Sequence, residues 1–293
     1  MSRIGIVTVH YYPAYVEPSL ATLGDLMRRV PVEAVIAVAN REAVLEPLGQ
    51  RLAQLPPART ELIRHDNSGL EFGAWQAGLA RLRELELDWV VFANDTFPVH
   101  ACFSRIYRRR LVNALQRPAV RGVPEVAGQV ETLGKSYTIE GMRTHRWLTT
   151  SIFALNATVL RMLRYRLHYP TVDALIRPSG DRAQFFSPYL DPTVVDHLAA
   201  WLFGEGGSGA WYGATALDAA SAPRLAAKAR SILHEKYLSA VLDEAGAWFF
   251  DLKPYGGRER VTRRWDELVF RLSRGDRLRR REKAAAGGPG AST

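Results

Sequence analysis

HDNSGLEFGAWQAGLARLRELELDWVVFANDT, residues His65 to Thr96, carries three signals in a fixed order. An apolar run over Thr60–His65 ends in the turn formers Asn67-Ser68-Gly69. A helical pattern follows over about Glu71–Leu85, and a β-rich run, Trp89–Ala93, closes on the small polar triplet Asn94-Asp95-Thr96. Strand, helix and strand in this rhythm indicate a largely parallel sheet with helices on both faces.

The same rhythm extends upstream. Arg3–His10 reads as a strand, Leu20–Arg29 as a helix, Val32–Asn40 as a second strand and Glu42–Leu55 as a second helix, which Pro56-Pro57 interrupts. The expected fold class is therefore α/β, with a mostly parallel central sheet and helices on both faces. In open sheets of this kind ligands gather beyond the carboxyl ends of the strands. That rule selects His10-Tyr11-Tyr12, His65-Asp66-Asn67 and Asn94-Asp95-Thr96.

Downstream the pattern loosens. A basic helix is expected near Phe103–Leu115 and a strand at Trp147–Leu155, with Asn156 capping a helix over Ala157–Tyr165. Pro170–Pro223 is rich in Gly, Pro and Asp and reads as irregular, and Gly204–Gly209 reads as a mobile loop or lid. A helix over Ala222–Ala245 stops at Gly246, and Ala247–Leu252 is the last strand. The chain from about Lys283 to its end is expected to be disordered.

The chain has 293 residues, enough for one large α/β domain, and Cys102 is its one cysteine. That rules out an internal disulfide and a cysteine-based zinc site. The first residues lack a charged leader with a long apolar core, and no run of about eighteen apolar residues follows. The expected location is cytoplasmic. The formal charge of +9 is concentrated at Arg108-Arg109-Arg110 and from Arg258 to Lys283. Such patches attract phosphate-bearing partners, whether a nucleotide diphosphate, nucleic acid or an anionic membrane.

The order Asn67-x-Gly69, a helix containing Gly73, Trp75 and Gly78, and a strand ending in Asn94-Asp95-Thr96 resembles the donor-binding half of family 2 glycosyltransferases. The rhamnan-synthesis type of polysaccharide glycosyltransferase is more similar still. Two further patches, Thr144–Leu155 and Glu235–Ser239 with Gly246, resemble later segments of the same group. The resemblance implies a single GT-A-like domain over 1–256, with a donor-binding half of about 1–120 and an acceptor half of about 121–256. A basic amphipathic segment, 257–282, and a tail, 283–293, would follow. It also implies transfer of a sugar from a nucleotide-diphosphate donor to a saccharide or lipid-linked acceptor in cell-surface polysaccharide synthesis, with inversion.

On that reading the nucleotide sugar meets Thr8, His10, Tyr11, Asp66, Asn67, Gly69, Asn94, Asp95 and Thr96. The acceptor meets His145, Trp147 and Ser151, and Glu235 is the catalytic base, with Asp173, Asp191 and Glu140 as competitors. A Mg²⁺ or Mn²⁺ ion on Asp95 would stabilise the departing diphosphate. The triplet lacks the paired acids of a full Asp-x-Asp element, and Arg or Lys could neutralise the charge instead. Trp265, Leu268, Val269 and Leu272 form a stripe that would either rest on the cytoplasmic face of an anionic inner membrane or dock on the domain itself. A nucleic-acid-binding protein, resting on charge alone, and an inactive glycosyltransferase-like assembly partner are the alternatives.

Overall fold

A computed structural model describes residues 2–56, 58–100, 102–118, 120, 122–205, 211, 213–253 and 256–272. Seven strands form one sheet in the order β3-β2-β1-β4-β6-β5-β7. Its strands are β1 (Ile4–His10), β2 (Val32–Ala39), β3 (Arg59–Arg64), β4 (Trp89–Asn94), β5 (Glu125–Ile139), β6 (Met142–Asn156) and β7 (Trp248–Asp251). β1 pairs in parallel with β2 and β4, β2 with β3, and β5 with β7, whereas β6 runs antiparallel to both β4 and β5. The α/β class and the mostly parallel sheet with flanking helices hold.

Every residue of β1 is buried, as a strand covered on both faces requires. Ile4 and Ile6 join the apolar layer under α1 (Pro13–Met27), α2 (Leu45–Leu52) and α5 (Arg105–Gln116). Val7 and Val9 join the opposite layer under α3 (Leu70–Leu82), α6 (Ala157–Met162) and the later part of α10 (Ala222–Glu244). Successive side chains of a strand point to opposite faces, and this alternation gives the sheet its two cores.

The largest departure from the sequence reading is β5, which hydrophobic patterning did not reveal. Its outer half is polar and partly exposed, so the period-2 signal is diluted. With β6 it makes a long hairpin whose far end, through Tyr137 and Ile139, enters a third apolar cluster. The rest of that cluster comes from 170–223, which contains α7 (Pro170–Asp173), α8 (Arg182–Phe185) and α9 (Pro192–Leu202), and from Leu225, Ala226, Ala229, Ile232 and Leu233 in the first half of α10. Asp181 and Asp191 cap α8 and α9, and Pro170 and Pro192 occupy first turns. Residues that start helices are the same types that make turns, which is why this segment reads as irregular. Residues 206–209 of the expected lid, and everything from 273 onward including the expected disordered tail, lie outside the described residues.

α11 (Gly257–Leu272) lies against α5. Arg109 and Arg110 pair with Glu259 at 2.8 and 2.6 Å, and Arg108 pairs with Asp25. The basic cluster of α5 is thus engaged in internal ion pairs, which weakens the nucleic-acid reading built on it.

Candidate active site at the strand ends

Asp95 stands just past β4 and is only 3% exposed. Its Oδ2 accepts hydrogen bonds from the backbone N–H groups of Tyr11 (2.8 Å) and Tyr12 (2.7 Å). The carboxylate therefore ties the end of β4 to the β1–α1 turn. Beside it Asn94 Oδ1 accepts from Thr96 N (3.1 Å) and Thr96 Oγ1 (2.7 Å), closing the turn into α4 (Phe97–His100). A small polar triplet after an apolar strand is suited to this, because its side chains satisfy the backbone donors that the strand leaves open.

Thr8 and His10 are fully buried on the α1 side of β1. Thr8 Oγ1 lies 3.0 Å from His10 Nε2, and His10 Nδ1 lies 3.4 Å from Ser19 Oγ on α1. Burial pushes the His10 pKa down to about 3, so the ring is neutral. Both residues brace α1 against the sheet and present nothing to a ligand, unlike the role the strand-end rule gave them. Tyr11, one residue further, is half-buried, and the Arg41 guanidinium lies 5.4 Å from its ring centroid.

An open cleft of about 470 Å³ lies beyond β2 and β3, lined by Asn40, Arg41, Glu42, Arg64, His65 and Asp66. Asp66 Oδ1 accepts from Ser68 N (2.9 Å), and Asn40 Nδ2 donates to Asn67 Oδ1 (3.0 Å). Asn67, Gly69 and Leu70 have φ of 64°, 65° and 50°. This left-handed run turns the chain back so tightly that a Cβ on Gly73 would lie 2.0 Å from Ser68 O. A Cβ on Gly69 would meet His168 Nε2 at 2.8 Å, so a histidine from after α6 stands directly over the turn.

His168 belongs to a cluster that the sequence did not disclose. Its Nε2 lies 2.7 Å from Asp173 Oδ2, and its ring stacks on His234 with centroids 4.8 Å apart. His168, Asp173 and His234 could each offer one metal ligand, with these atoms within 4.8 Å of one another. Both His234 nitrogens already have hydrogen-bond partners, Arg230 O at 2.9 Å and Tyr169 N at 3.0 Å. As it stands the cluster is a hydrogen-bonded brace between α7 and α10. Asp95 fits a divalent ion poorly too, being buried with Oδ2 committed to two amides.

Glu235 reaches the same edge of the sheet through β6. Ile152 lies opposite Ala93 of β4, so the residues before Ile152 run beyond the β4 end toward Asn94 and Asp95. On the other side of β6, Phe153 faces Gly128 and Thr149 faces Gln129, leaving Thr150, Ser151 and Ile152 as a bulge. Glu235 Oε2 accepts from Thr150 N and Thr150 Oγ1, both at 2.8 Å. Burial raises the Glu235 pKa above the ordinary carboxylate range, against the opposing pull of Lys236 and the Thr150 bonds.

Ser151 lies within this bulge, half-buried. Trp147 sits further out, with the buried Lys236 Nζ 3.6 Å from its ring centroid and His197 packed at 5.8 Å. Burial lowers the Lys236 pKa to about 8. His145 is exposed, 3.9 Å from Asp243, on the outer part of the hairpin, roughly 20 Å along the strand from Ile152. The structure thus gathers Tyr11, Asp66, Asn67, Gly69, Asn94, Asp95, Thr96, Ser151 and Glu235 at one edge and leaves His145 apart. Of the competing acids, Asp191 caps α9 and also accepts from Thr138 N (2.9 Å), and Glu140 is exposed at the hairpin tip. No local pattern marks Arg41, His168 or His234, because each meets its partners only across the fold.

No family model matches the chain, and no curated protein matches it. Among solved structures, the mannosyltransferase PcManGT from Pyrobaculum calidifontis, in complex with GDP-Man and Mn²⁺, is 12% identical, with 97% of this chain and 85% of that one covered and a TM-score of 0.40. Mouse xyloside xylosyltransferase 1 is 13% identical over 71% of this chain and 91% of that one, with a TM-score of 0.36. HddC from Yersinia pseudotuberculosis is 11% identical over 55% and 80%, with a TM-score of 0.31. Likeness at this level does not carry residue roles or substrates across.

Proposed function

We propose that this chain is an inverting glycosyltransferase that moves a sugar from a nucleotide-diphosphate donor to a saccharide or lipid-linked acceptor of a cell-surface polysaccharide. The observation that carries the reading is a convergence: an open cleft beyond β2 and β3 shares one sheet edge with a half-buried carboxylate, Glu235 of α10, which Thr150 of the β6 bulge holds beyond β4. On this reading residues 1–120 bind the donor and 121–256 present the acceptor.

The nucleotide lies along the cleft, its base against Tyr11 and its ribose hydroxyls within reach of Asp66. Arg41 and Arg64 line the same cleft and supply positive charge for the diphosphate. Asn94 and Thr96 border the sugar, and Asp95 acts through the Tyr11–Tyr12 turn that it holds. As the bond from the anomeric carbon to the phosphate oxygen breaks, its electron pair leaves with the diphosphate. The acceptor hydroxyl attacks from the opposite side, and Glu235 takes its proton. A carboxylate with a raised pKa is a stronger base, nearer the working pH, than an ordinary one.

A thermal-shift screen with UDP-, GDP-, dTDP- and CMP-sugars tests the assignment. One nucleoside diphosphate sugar is expected to raise Tm, by an amount that survives EDTA because the positive charge comes from arginines. Absence of any shift, with and without Mn²⁺, would overturn the reading.

A further inference from the structure

α11 reverses the usual arrangement of a surface helix. Its half-buried side carries Glu259, Thr262, Arg263, Asp266, Glu267 and Phe270. All three acidic residues of the helix are held there in ion pairs. Glu259 meets Arg109 and Arg110, Asp266 accepts from Arg105 N (2.8 Å) and Nε (2.9 Å), and Glu267 meets Arg263 (2.6 Å). The outward side keeps only apolar and cationic side chains. Val261, Trp265, Leu268, Val269 and Leu272 are 69%, 60%, 48%, 50% and 76% exposed, and Arg258, Arg260, Arg264 and Arg271 flank them.

A helix with exposed apolar residues ordinarily turns them inward. Here the inward face is fixed by charge pairing with α5, so the apolar stripe points away from the domain. We propose that this face is a membrane-contact surface, with α11 lying in the plane of an anionic lipid interface. The stripe would enter the headgroup–acyl boundary while the arginines meet lipid phosphates. The chain beyond the described residues continues in the same sense, with Arg274, Arg277, Arg279, Arg280, Arg281 and Lys283 against Asp276 and Glu282. Charge selects the occupant. A second copy docked face to face would set arginine against arginine with no acid to meet them, whereas an anionic lipid surface complements the whole face. Among the described residues no helix is long and apolar enough to cross a membrane, so the contact is in-plane.

This surface stands independently of the sugar-transfer reading. Its test is flotation of the full chain with vesicles of phosphatidylcholine alone or with about one-third phosphatidylglycerol. Binding is expected to the anionic vesicles at low salt and to weaken as salt rises. The double variant Trp265→Glu/Leu268→Glu should lower vesicle affinity about tenfold or more. Arg258→Gln/Arg264→Gln/Arg271→Gln should remove the preference for anionic lipid. These side chains are exposed, so both variants should keep the parent circular-dichroism spectrum and the parent response to nucleotide sugars. Absence of binding to anionic vesicles at low salt would overturn the proposal. So would unchanged binding by the glutamate variant, or a dimer seen by light scattering that the same variant dissolves.

Discussion

Glu235 illustrates how much a single residue owes to its surroundings. In the sequence it is one glutamate in a long helix; in the fold one of its oxygens is held by two donors of Thr150 and burial lifts its pKa. Glu235→Gln preserves size and an acceptor oxygen but cannot take a proton. Turnover should fall by about 10²–10⁴-fold while the nucleotide-sugar thermal shift persists. On the proposed base role the parent chain needs Glu235 ionised, so kcat/KM should drop as pH falls through a pKa above that of an ordinary carboxylate. That acid limb should be missing from whatever activity the Gln variant retains. Near-parental turnover by the variant would remove Glu235 from the base role.

Elements meet here through glycines and a bulge. The Asn67–Leu70 turn folds back on α3 only because Gly73 has no Cβ, and the place where one would stand is occupied by Ser68 O. Backbone cannot retreat as a flexible side chain can, so Gly73→Ala should cost about 2 kcal/mol or more in urea unfolding and loosen the cleft wall at Asp66. A variant as stable as the parent would show that the turn is not rigid. The βα units were legible from the sequence because strand runs, helix periods and turn residues act over a few neighbours. The β6 bulge was not. It lies in the β5–β6 ladder, where the register shifts between Gly128 and Gln129, and a pairing between strands is absent from any local window.

At the scale of the whole molecule, two neutral histidines, His10 buried and His197 half-buried, couple the fold to pH. Burial lowers the pKa of His10 to about 3 and of His197 to about 4, from an ordinary 6.5. Between those values and 6.5 the unfolded chain binds protons that the folded chain refuses, so stability is lost as pH falls below 6.5. The slope is at most about 1.4 kcal/mol per pH unit for each group. Glu235 opposes this, since a raised pKa lets the folded state bind its proton first. Urea titrations from about pH 7 to pH 5 should therefore show a shallower loss in His10→Gln than in the parent. Parallel profiles would mean that His10 titrates normally in the fold.

Local sequence set the α/β alternation and the polar turns after the strands, with their chemistry at Asn67-Ser68-Gly69 and Asn94-Asp95-Thr96. Those features rest on forces between residues close along the chain. The packed fold alone turns Thr8 and His10 inward, sets Asp95 on the Tyr11–Tyr12 turn, and brings Glu235 beside the bulge while leaving His145 apart. It also decided which side of α11 faces water, because the arginines that pair with Glu259 and Asp266 lie far away in the chain, on α5. Partners so distant in sequence meet only once the sheet is built, and no periodicity records them.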